Sequence, residues 1–121
     1  MSDVVVLLVA AGFAAMGAGA LARPGLVLGQ FGVAVDTPDG RNEVRAVYGG
    51  FGLAISALLA VAALGDHANS DGILVAVAVA LGGMAAGRLV GAAVDRPSGA
   101  YPVWVYFAIE VGGAAALLAA T

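Results

Sequence analysis

Asn42-Glu43-Val44-Arg45-Ala46-Val47-Tyr48-Gly49-Gly50-Phe51-Gly52 opens a long apolar run, yet it places an acid, a base, a phenol and three glycines within about three turns of helix. A charge inside a membrane-length segment is expensive, so it is usually paired or functional. The run that follows, Ala46–Gly65, has no charged residue and is long enough to span a bilayer.

The rest of the chain repeats the pattern. Val4–Ala22 is charge-free; at about 1.5 Å per residue it covers roughly 28 Å, the thickness of a hydrocarbon core. Arg23-Pro24-Gly25 ends it, because the residue before proline is pushed out of the helical region and glycine permits a turn. Leu26–Val35 is apolar but too short to span, and the sequence predicts a short interfacial or re-entrant segment there. At Thr37-Pro38-Asp39 the order is that of a helix start: an N-cap, a proline at the first helical position and an acid at the positive end of the dipole. Expected spans are about 4–22, 38–64, 72–94 and 102–120, with Asp66–Asp71 and Asp95–Gly99 as polar turns. The expected fold is an all-α integral membrane four-helix bundle, antiparallel and up-down, forming one domain over residues 1–121.

Composition agrees. Of 121 residues, 62% are hydrophobic and only 11% charged, with a mean hydropathy of +1.02; soluble domains are about one quarter charged. There is no lysine, so all five cations are arginines. No basic patch of the nucleic-acid type exists. Cysteine is absent and His67 is the only histidine, so neither thiol chemistry nor a Cys/His metal site is available, and no metal or cofactor is expected. The acidic stretch Met1-Ser2-Asp3 differs from the basic start of a signal peptide, so the first run is expected to be a retained helix.

With four spans, both termini share one side of the membrane. Arg23, Arg41, Arg45, Arg88 and Arg96 lie in or beside the loops of the other side, together with Tyr48, Tyr101, Trp104 and Tyr106. The positive-inside rule makes the arginine side cytoplasmic and leaves both termini outside. Small residues recur at helical spacing, with Gly49, Gly50 and Gly52 in the second span, Gly83, Gly87 and Gly91 in the third and Gly112 in the fourth. Such faces allow close backbone approach, within the bundle or in a homo-oligomer.

Arg88 and Glu110 fall at similar depth on neighbouring helices, roughly 10–12 Å below one face, which predicts an ion pair. Arg45 enters the same layer, Tyr48 lies one turn deeper, and Asp95 closes the Arg88–Gly91 stripe nearer water. Two readings of these residues stand side by side. One is a buried pair that fixes helix register. The other is a ligand site for a phospholipid phosphate or other small anion, formed by Arg45, Tyr48, Arg88, Glu110 and Asp95. Catalysis reads poorly, since Ser56 has no histidine at matching depth and a salt-bridged Glu110 is a weak base. Gly49-Gly50 lies inside a helix and lacks the Lys-Ser/Thr of a phosphate loop.

Asn42-Glu43-x-Arg45-Ala46-x-Tyr48-Gly49-Gly50, then Gly87-Arg88-Leu89 with Asp95, then Glu110, resembles a bacterial family of small four-helix membrane proteins carried as a domain of unknown function. The resemblance covers nearly the whole chain. It implies a four-helix membrane fold and places Arg45, Tyr48, Gly49, Gly50, Arg88 and Glu110 in the family pattern, and it implies no activity. Three functions are therefore expected in turn: a non-enzymatic membrane protein that binds an anionic headgroup, an accessory subunit of a larger membrane complex, and a small transporter. Membrane lipids and a homo-oligomeric or other membrane-protein partner are the expected contacts. The transporter reading suffers from the strong arginine asymmetry, which is the opposite of what a dual-topology exporter needs.

Overall fold

The computed structural model describes residues 2–65 and 68–121, with the side chain of Ser2 left aside; Asp66 and His67 of the expected polar turn lie outside the described residues. Every regular element among the described residues is helical: α1 (Ser2–Ala22), α2 (Pro24–Gly29), α3 (Pro38–Val44), a π-helical turn (Arg45–Gly50), α4 (Phe51–Leu64), α5 (Ser70–Val94), a kinked turn (Ala100–Trp104) and α6 (Val105–Ala119). Four continuous helical stretches are long and apolar enough to cross a membrane: Asp3–Ala22, Pro38–Leu64, Ser70–Val94 and Ala100–Ala119.

Local chemistry accounts for the boundaries. Arg23, forced off helical geometry by Pro24, sits at φ −141°, ψ 77° and separates α1 from α2. Gly32 closes the turn after α2 at φ +76°, a conformation costly for any residue with a Cβ. The Thr37 hydroxyl accepts a hydrogen bond from the Gly40 N–H at 3.0 Å, capping α3 as the sequence predicts. Tyr101, which precedes Pro102, is extended at φ −99°, ψ 139° and kinks the entry to α6. The six-residue α2 cannot span; it buries Pro24 and exposes Leu26 and, just after it, Phe31.

Large apolar side chains remain open along the long helices, among them Leu8, Val79, Val94 and Ile109 at 59% exposure or more. In water so much uncovered apolar surface would drive association. In hydrocarbon it is the natural outer face, because the backbone polar groups are satisfied within each helix and lipid covers the rest.

The chain divides into two compact units, residues 7–61 and residues 1–6 with 62–121. In the first, α1 meets the second span almost backbone to backbone. A Cβ on Gly17 would stand 2.7 Å from the Leu53 nitrogen and 2.8 Å from the Gly49 oxygen, and one on Gly52 would stand 2.9 Å from the Phe13 oxygen. The Ser56 hydroxyl donates to the Ala10 carbonyl at 2.7 Å across this contact. In the second unit α5 packs on α6. Leu74, Val77, Ala78, Leu81 and Ala85 form one buried stripe of α5 at three- and four-residue spacing, and Leu117 is buried on α6.

Candidate functional site

Arg88 follows the buried stripe of α5 at the position after Ala85, so its side chain leaves the helix toward α6. There it meets Glu110, the only buried charged residue among those described. Nε donates to Oε1 and Nη2 to Oε2, both at 2.8 Å, the bidentate geometry in which a guanidinium matches a carboxylate best. The Arg88 side chain is 22% exposed and that of Glu110 only 4%. Tyr106, one turn before Glu110, lays its ring 5.5 Å from the Arg88 guanidinium carbon, adding a cation–π contact. Tyr101 stands 6.4 Å from Tyr106, ring centre to ring centre, and Trp104 packs edge-on against Phe107 at 5.6 Å.

Arg45 is placed differently. It opens the π-helical turn, and its Nε donates to the carbonyl of Leu21, in the last turn of α1, at 3.1 Å. Gly49, one turn later, backs onto the same Leu21: a Cβ there would lie 2.8 Å from a Leu21 methyl. The wider pitch of a π turn brings residues four and five apart into line, which sets Arg45 and Gly49 against one neighbour. Arg45 is otherwise exposed, and no carboxylate lies within 4 Å of it among the described residues. Tyr48 is half-buried in the same turn. Arg45 and Tyr48 belong to the unit of residues 7–61, whereas Arg88, Glu110 and Asp95 belong to the other.

Asp95 caps the end of α5, where its backbone N–H donates to the Gly91 carbonyl at 2.7 Å; its side chain is exposed and forms no ion pair within 4 Å among the described residues. Of the packing glycines, Gly49 is buried at a close contact and the nearest atom to a Cβ on Gly50 is the Arg45 oxygen of its own turn. Gly83, Gly87, Gly91 and Gly112 would each place a Cβ in open space, with nothing within 4 Å. The intrachain close approach is made by Gly52, one of the small residues expected to pack in the second span, and by Gly17, which the sequence had not singled out for packing, and Gly113 rather than Gly112 faces Leu81. Tyr106 was legible as a partner of the pair, since it lies four residues before Glu110 on one helix face. Among the described residues no group of three acidic or histidine side chains is arranged to hold a metal.

The profile of the family described as a domain of unknown function, DUF4345, matches residues 1–121, and the chain belongs to that family. No curated protein and no solved structure matches it significantly.

Proposed function

We propose that this family member is a non-enzymatic protein of the bacterial inner membrane that holds an anionic lipid headgroup or a small anion at Arg45, with Tyr48 beside it. One observation carries the reading. Arg45 is anchored through Nε to a neutral carbonyl and has no carboxylate within 4 Å among the described residues. Arg88, by contrast, has its countercharge in Glu110. A guanidinium at the edge of an apolar span that lacks a countercharge among the described residues favours phosphate or carboxylate from outside. In this reading Arg88 and Glu110 hold α5 on α6, Asp95 ends the stripe at the water, and the arginine-bearing loops face the cytoplasm with both termini outside.

Native mass spectrometry of the purified protein tests it. Arg45→Ala should lose co-purifying anionic lipid, and Arg45→Lys, a point charge without the planar fork, should retain only part of it. Unchanged lipid retention in Arg45→Ala would remove the reading.

A second reading, an accessory or self-associating subunit, is favoured by the open stripe of Gly83, Gly87 and Gly91 on α5. Small residues facing outward in lipid let another helix approach closely. A partner of different sequence recovered in fixed ratio from native membranes would support the subunit reading over the first.

A further inference from the structure

The turn between α5 and α6 borders an open surface cleft of about 520 Å³, lined by Ala92, Arg96, Ser98, Gly99 and Trp104 among others. That volume falls in the range of small-ligand sites. Its polar equipment is one-sided. Among the lining residues Arg96 carries a guanidinium fork, Ser98 a hydroxyl and Trp104 an indole N–H, and no acidic residue lines the space. None of the three side chains has a hydrogen-bond partner among the described residues, and no acid lies within 4 Å of Arg96. The backbone N–H groups of Ser98 and Gly99 likewise have no acceptor there. The neighbouring Asp95 carboxylate is not part of the wall.

The geometry points to an oxyanion site in this cleft, taking a phosphate or phosphodiester group between the Arg96 fork, the Ser98 hydroxyl and the Trp104 N–H. Planar guanidinium and fixed N–H donors suit the tetrahedral oxyanion better than a halide, because the bonds are paired and directional. Trp104 is 38% exposed and makes a T-shaped contact with Phe107, which holds the indole beside the cleft. A tryptophan at the end of a span sits at headgroup level, where lipid phosphates are concentrated. The site lies wholly within residues 92–104 and does not depend on Arg45.

Trp104 is the only tryptophan in the chain, so its emission reports directly on the cleft. The protein in maltoside detergent micelles, which contain no phosphate, is titrated with inorganic phosphate, and compared with micelles that also contain phosphatidylglycerol. A saturable change in emission is expected in at least one arm; a response to inorganic phosphate identifies a free anion as sufficient, and a response only to phosphatidylglycerol identifies the lipid headgroup. Arg96→Ala should weaken the response roughly tenfold or more, the scale of one lost charge-assisted contact. Ser98→Ala should weaken it less. Arg23→Ala, which removes the same charge elsewhere, should leave it within about twofold. An equal loss in Arg96→Ala and Arg23→Ala would reduce the effect to diffuse attraction and overturn the site. So would the absence of a saturable change in both arms.

Discussion

Arg88 and Glu110 face each other through two parallel hydrogen bonds of 2.8 Å between helices long and apolar enough to cross a membrane. Desolvating both charges is costly, and only this doubly bonded geometry offsets it. Breaking one side is therefore worse than removing both. Glu110→Gln should destabilise the protein by about 3–5 kcal/mol, because it leaves a guanidinium without a countercharge. The double change Arg88→Met with Glu110→Leu should recover most of that loss. Denaturant titration in detergent followed by circular dichroism measures both; a double variant as unstable as Glu110→Gln would mean that the cluster contributes more than a compensated pair.

The contact of α1 with the second span makes a separate prediction. Gly17→Ala would drive a Cβ into backbone atoms at 2.7 and 2.8 Å, and backbone has little room to yield. Overpacking of this kind costs about 1–3 kcal/mol. Gly49→Ala meets chiefly the flexible end of Leu21 and should cost less, although its Cβ would come as near. Comparing the two unfolding midpoints checks this: equal losses would show that the helices slide apart as freely as Leu21 turns.

Much of this architecture could be read without coordinates, and the reasons are physical. Spans are legible because a hydrocarbon core demands about twenty apolar residues in a row. Thr37-Pro38-Asp39 is legible because a cap is a local event. Arg88 and Glu110 are legible because a short turn fixes the depth of both residues. Arg45 is different, since its acceptor is a backbone carbonyl 24 residues away, and every residue offers a carbonyl. The π turn over Arg45–Gly50 leaves no mark on hydrophobic periodicity either. Gly17 was hidden among glycines: which one meets a neighbour depends on where two helices cross, and spacing along one chain does not contain that.

The arginines predict an orientation that can be measured. Single cysteines placed at Asn69 and Ser98 sit in the turns at the two ends of α5, both exposed, and the chain has no native cysteine to interfere. In intact cells Asn69→Cys should react with a membrane-impermeant maleimide and Ser98→Cys should react only after lysis. The reverse pattern would place the arginine loops outside. Reaction of both in intact cells would mean that the chain inserts in two orientations and would restore the transporter reading.

The open face of α5 separates a stripe that packs from one that merely faces lipid. Nothing lies within 4 Å of a Cβ on Gly83 or Gly87, so enlarging either leaves the chain's own contacts intact. Gly87→Leu should therefore not lower the unfolding free energy, and should raise it by up to about 1 kcal/mol because a helix-interior glycine is replaced by a good helix former. If a second helix docks there, the same substitution pushes the two backbones apart and removes the close contact that association in lipid depends on. Crosslinking in native membranes should then show the higher-mass species of the parent protein and little of it in Gly87→Leu, while Val79→Leu, exposed but already large, leaves the pattern unchanged. Identical crosslinking in parent and Gly87→Leu would assign this face to lipid alone and withdraw the subunit reading.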